Sequence, residues 1–132
     1  MTQELKIAAD CVVFDERNRL LLIQRKHPPF AGRYALPGGF VEYGETTEAA
    51  VARELFEETG LIATNVKLIG VYSKLDRDPR GHVISVAYIV TVSSTDTKAG
   101  DDAATAAFIE DWQNQHLAFD HDEILSDALK IR

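Results

Sequence analysis

One stretch limits the possible structures of this chain more than any other. Gly38-Gly39-Phe40-Val41-Glu42-Tyr43-Gly44-Glu45 runs directly into Thr46-Thr47-Glu48-Ala49-Ala50-Val51-Ala52-Arg53-Glu54-Leu55-Phe56-Glu57-Glu58-Thr59-Gly60-Leu61. A hydroxyl side chain can accept the first unpaired N–H groups of a helix, and glycine can turn left-handed at its end, so a helix is expected from a Thr46 or Thr47 cap to about Thr59, stopped by Gly60. At about 100° per residue, Glu57 lies about 60° to one side of Glu54 and Glu58 about 40° to the other, which puts three carboxylates on one face. Val51, Leu55, Ala52, Phe56 and Ala49 fall on the other side and are expected to anchor the helix on a sheet.

An acidic helix face is ordinarily a solvated surface, because Glu favours helix. Here the acids repel one another, and their place near the helix C-terminus opposes the macrodipole. A bound cation removes both costs. Hard divalent ions take oxygen ligands, and glycines at Pro37-Gly38-Gly39 leave room for a backbone carbonyl to approach.

The flanks read mostly as strands. Leu5 to Phe14 is an apolar, β-branched run, Asp15-Glu16-Arg17-Asn18 a turn, and Arg19 to Arg25 the expected hairpin partner. Pro28 and Pro29 make a loop of His27 to Gly32, and Tyr34 to Val41 is extended around Pro37. Val66 to Ser73 and His82 to Val92 follow as strands, whereas Ala103 to Ile109 fits either a helix or an edge strand. Asp122 to Ile131 closes the chain as a helix, with Ile124, Leu125, Ala128 and Leu129 at helical spacing. With 132 residues and neither repeat nor linker, a single domain over 1–132 is expected, in an α/β (α+β) sandwich whose helices cover a mixed sheet.

Fourteen basic against 21 acidic residues leave a formal charge of −7, which disfavours the nucleic-acid backbone as a partner but not a small phosphorylated ligand held through a cation. The apolar run from Val83 to Val92 is too short to cross a bilayer. The first residues lack the plan of a signal peptide, and the single Cys11 has no internal disulfide partner, so a cytoplasmic protein without membrane contact is expected.

The central segment resembles the signature of the Nudix hydrolases: Gly, five residues, Glu, seven residues, Arg-Glu, an apolar residue, one residue, Glu-Glu, one residue, Gly, an apolar residue. Gly39, Glu45, Arg53, Glu54, Leu55, Glu57, Glu58, Gly60 and Leu61 supply all nine positions over twenty-three residues. The resemblance implies a Nudix-like α/β/α sandwich with a mixed β-sheet. It implies that Glu54, Glu57 and Glu58, with the Gly38 carbonyl, bind one to three divalent ions, Mg2+ with Mn2+ able to substitute, and that Arg53 and Glu45 pair to orient loop and helix. The implied reaction is metal-dependent hydrolysis of a diphosphate linkage in a nucleoside diphosphate derivative, without a covalent protein intermediate. Similar enzymes are often homodimers.

Arg77-Asp78-Pro79-Arg80-Gly81-His82 and Ala118-Phe119-Asp120-His121 look like the ADP-ribose pyrophosphatase branch, whose reaction gives AMP and ribose 5-phosphate. A nucleoside triphosphate pyrophosphatase is the alternative, and a non-catalytic nucleotide sensor a further one. Arg25, Arg33 and Arg80 are candidate phosphate contacts, because guanidinium binds phosphate oxygens in a fork, and Phe30 or Tyr34 is a candidate for stacking on a base. Asp101 and Asp102 lie in a polar loop that could supply one more carboxylate, while His82 and His121 fit simple partners of backbone groups.

Overall fold

In the computed structural model, which describes residues 3–97 and 103–132, the first apolar run forms β1 (Leu5–Val12), and its alternation sets up the layers. Ala9 and Cys11, with Val13 just beyond the strand, join Val51 and Leu55 in one core cluster, while Val12 joins Ile124, Leu125 and Ala128 in another. The elements that follow are β2 (Leu20–Arg25), β3 (Tyr34–Ala35), β4 (Gly38–Phe40), α1 (Thr47–Thr59), β5 (Ala63–Tyr72), β6 (His82–Val92), β7 (Ala103–Ile109), a 3-10 turn (Trp112–Asn114) and α2 (His121–Ile131). Among the described residues the strands make two sheets: a mixed one in the order β4-β1-β6-β5, with β1 and β6 parallel, and an antiparallel one in the order β3-β2-β7. The two helices pack in separate cores, α1 in one and α2 in the other, which gives the expected α/β/α sandwich.

Several boundaries differ from the sequence reading. The hairpin expected between Leu5–Phe14 and Arg19–Arg25 shrinks to a bridge between Phe14 and Leu20, with Leu21 N–H donating to the Val13 carbonyl at 2.9 Å. β2 is the apolar centre of the second sheet, and β3 and β7 occupy its two edges, so it cannot also lie along β1. The extended stretch around Pro37 divides between the sheets: β3 pairs with β2 and β4 with β1. Pro37 brings no N–H to a ladder, and its carbonyl accepts from Cys11 N–H at 2.9 Å. Ala103–Ile109 is a strand, because pairing along β2 outweighs the helix preference of alanine. β5 begins at Ala63 rather than Val66; the polar Thr64 and Asn65 lie at a sheet edge, where they are exposed.

Phe56 is also a correction. It was expected to anchor α1 but is 55% exposed, and Ala50 is buried beside Val51 and Leu55 instead. The buried stripe is narrow and centred on Val51 and Leu55; Phe56 lies about 100° around from Leu55. Burying those two side chains contributes about 2 kcal/mol each, enough to fix the rotation of the helix.

Candidate active site

The ends of α1 set where its acids sit. Thr46 caps the helix, its hydroxyl accepting from Ala49 N–H at 3.0 Å, and Gly60 ends it in a left-handed conformation at φ 77°, its N–H donating to the Phe56 carbonyl at 2.8 Å. With Val51 and Leu55 below, Glu54, Glu57 and Glu58 reach one cavity of about 550 Å³.

They reach it at different depths. Glu58 is buried, and its Oε1 accepts Gly38 N–H at 2.7 Å; burial first, then the charges of Glu54 and Asp10, push its carboxyl up to about 8. Glu54 is largely covered, and its Oε1 accepts from Arg53 Nη1 at 2.7 Å. The Glu57 side chain is 56% exposed and lies 3.4 Å from the same nitrogen.

Arg53 does more than pair with Glu45. Nε and Nη2 grip the two Glu45 oxygens at 2.7 and 2.9 Å, and Nη2 also donates to the Phe40 carbonyl at 3.0 Å. The guanidinium beside Glu45 holds that carboxyl down at about 2, and Glu45 in turn holds the guanidinium charged. One side chain therefore ties the β4–α1 loop to the acids of α1.

Space, rather than backbone angle, explains the paired glycines. A Cβ on Gly39 would lie 2.5 and 2.6 Å from the two Glu54 oxygens, and one on Gly38 would run into Asp10 and the Ala9 carbonyl. Asp10 is an acid inside the apolar run of β1, a signal the sequence reading passed over; it lines the same cavity as Glu54, Glu57 and Glu58.

These donors suit a divalent metal ion. They are all oxygen, the three glutamates of α1 line one cavity, and a cation would relieve the burial and like-charge repulsion that hold the proton on Glu58. As they stand the carboxylates are turned toward Arg53 and Gly38 N–H, and among the described residues no three His, Cys, Asp or Glu donors are already gathered at ligand spacing.

The same cavity carries cationic groups. Arg25 donates to the Pro29 carbonyl at 2.6 Å and lies 4.9 Å from the Phe119 ring; Arg80 lies 5.5 Å from that ring, 5.1 Å from the Phe40 ring, and pairs with Asp78 at 2.7 Å. Arg33 and Tyr34 do not line the cavity: Arg33 sits over the Phe30 ring, and Tyr34 packs against the core on the α2 side. Phe30 meets Phe119 edge-on at 4.9 Å. Asp101 and Asp102 lie outside the described residues.

Two further groups support the site. The buried Arg77 forms a fork with the half-buried Asp120, at 2.9 and 2.6 Å, joining the β5–β6 loop to the start of α2. His121 accepts Leu36 N–H on Nδ1 at 3.0 Å, the backbone role expected of it, and also lines the cavity. The sequence held no sign of the Arg77–Asp120 pairing, because 43 positions separate the partners.

A cavity lined by both carboxylates and guanidinium groups, built on a helix framed by Gly39 and Gly60, defines the class. The chain belongs to the NUDIX family, whose NUDIX domain profile matches residues 4–130. It is 52% identical over 124 residues to the ADP-ribose pyrophosphatase of Methanocaldococcus jannaschii, a match that spans 94% of this chain and 73% of that one. A MutT/nudix family protein from Enterococcus faecalis superposes with a TM-score of 0.88 at 32% identity, covering 99% of this chain and 63% of that one. The NUDIX domain of Shewanella oneidensis NrtR, solved in complex with ADP ribose, superposes with a TM-score of 0.83 at 26% identity, covering 99% and 89%. Hydrolases of this family generally need divalent metal ions. Among the described residues no helix is long and apolar enough to cross a membrane.

Proposed function

We propose that this chain hydrolyses ADP-ribose to AMP and ribose 5-phosphate, using Mg2+ held by Glu54, Glu57, Glu58 and the Gly38 carbonyl, with Mn2+ able to replace it. The observation that carries the reading is the cavity that the glutamates of α1 share with Arg25 and Arg80, a lining that suits a diphosphate bound through a cation. The archaeal pyrophosphatase relative supports the substrate.

The ion supplies charge neutralisation and Lewis acidity to the diphosphate. Arg25 and Arg80 bind the phosphate oxygens, already steered toward the cavity by the Phe119 ring. Arg53 holds Glu54 and the β4–α1 loop in one arrangement, and Glu58 fixes the Gly38 peptide through its N–H. Water adds across the P–O–P bridge: one phosphorus takes its oxygen, and the other phosphate leaves with the bridging oxygen and a proton. Among the described residues the one cysteine, Cys11, is buried in the core with its thiol pushed up by burial, which fits hydrolysis without a covalent intermediate.

The test is turnover and product identity with Mg2+ across ADP-ribose, other nucleoside diphosphate sugars and nucleoside triphosphates. ADP-ribose is expected to have the highest kcat/KM. A triphosphate preferred by tenfold, about 1.4 kcal/mol at the transition state, overturns the substrate. ADP-ribose binding without turnover would favour the sensor reading, which the likeness to the NrtR domain motivates. The reading also places the chain in the cytosol as a homodimer that binds no nucleic acid, to be checked by sedimentation and by titration with duplex DNA.

A further inference from the structure

Asp10 on β1 and His121 at the start of α2 are both buried, and both line the cavity. The hydrogen bonds they make engage the atoms turned away from one another. Asp10 Oδ2 accepts the Ser85 hydroxyl at 2.5 Å, and His121 Nδ1 accepts Leu36 N–H at 3.0 Å. Because Nδ1 is the acceptor, the proton of the neutral ring sits on Nε2. Burial lowers the His121 pKa, in keeping with a neutral ring. Asp10 Oδ1 and His121 Nε2 stand 3.8 Å apart, too far to bond each other.

We propose that Asp10 Oδ1 and His121 Nε2–H form a hydroxyl-reading pair that binds one hydroxyl of the sugar beyond the diphosphate, making them specificity-determining residues. An oxygen about 2.8 Å from each atom bridges the gap, accepting from Nε2–H and donating to Oδ1. A phosphate oxygen fits poorly, since it has no proton to give and meets a carboxylate. A metal ion fits poorly too, since it would face an N–H donor. A neutral hydroxyl matches both partners. The inference rests on the ADP-ribose reading and deepens it, because it makes the terminal sugar, rather than the diphosphate alone, part of what the site selects.

The experiment compares kcat/KM for ADP-ribose and for the butyl ester of ADP, in which an alkyl chain replaces the sugar. The wild-type protein is expected to favour ADP-ribose by roughly 10- to 100-fold, the range of one hydrogen-bonded group read by a charged partner. In His121→Asn the amide oxygen replaces Nδ1 as acceptor for Leu36 N–H, but nothing reaches the place of Nε2. The ratio is expected to fall to within about threefold of unity while ester hydrolysis is retained. Asp10→Asn is expected to lower the same ratio.

A wild-type ratio within about threefold of unity overturns the proposal and needs no folded variant to do so. A variant that keeps the wild-type ratio also overturns it, leaving the pair with only a structural role, such as holding a water. Equal losses on both substrates in Asp10→Asn, with a raised metal requirement, would overturn it by assigning Asp10 to the ion. If the wild-type protein cleaves neither compound, the ADP-ribose reading itself has failed and this inference falls with it; cleavage of both at similar rates refutes this inference alone.

Discussion

Gly39→Ala separates the chemistry of the site from the stability of the fold. Unlike Gly32, Gly44, Gly60 and Gly81, Gly39 has no positive φ, so alanine can adopt its backbone. The obstacle is the Glu54 carboxylate, whose oxygens would lie 2.5 and 2.6 Å from the new carbon. Restoring ordinary contact requires that carboxylate to retreat by about 1 Å, against its 2.7 Å bond to Arg53. A side-chain end can move that far without unfolding the sheet, and alanine's lower entropy in the unfolded chain offsets part of the strain, by about 0.4–1 kcal/mol. Melting temperature should therefore stay within about 4 °C of wild type. Turnover should fall by about 100-fold, the scale of a 1 Å displacement among reacting groups. Gly38→Ala is the contrast. Its Cβ meets the Ala9 carbonyl and lies 2.9 Å from Asp10 Cα, backbone atoms that cannot step aside, so β4 should part from β1 and the melting temperature should fall by about 10 °C. Turnover with saturating Mg2+ and melting without metal measure both. Normal turnover in Gly39→Ala would refute the idea that Glu54 needs its present position.

Glu57→Gln should abolish most turnover while Glu48→Gln leaves it intact; Glu48 lies outside the cavity, bonded to the Thr47 hydroxyl, and equal activities in the two variants would remove Glu57 from the metal set. In chelator, stability should fall as pH rises from about 4.5 toward 8, because the folded state holds a proton on Glu58 that the unfolded chain releases earlier; Glu58→Gln should flatten the change, and an unchanged slope in denaturant melts would count against it. Arg77→Leu leaves the half-buried Asp120 without its partner and should cost about 2–3 kcal/mol in chemical denaturation, with much of the loss recovered in Arg77→Leu/Asp120→Leu; a cost below about 1 kcal/mol would show that the pair matters little.

The helix from its Thr46 cap to Gly60 and the common face of Glu54, Glu57 and Glu58 could be read from residue order, because helical geometry alone sets their direction; the Arg53–Glu45 pair, which reaches from helix to loop, was implied only by the resemblance to the Nudix signature. Residue order also carried the strands of greatest β character, although not their neighbours: Arg19–Arg25 was legible as a strand, but its partners β3 and β7 were decided by which edges remained open once the sheets had packed. The second half of the site was decided by tertiary structure alone. Leu36 meets His121 across 85 positions and Arg77 meets Asp120 across 43, and the fold sends Arg80 to the cavity while leaving Arg33 and Tyr34 outside it. No local spacing encodes such meetings, because they depend on how two sheets and two helices share buried volume, and a periodic pattern specifies only which face of each element turns inward.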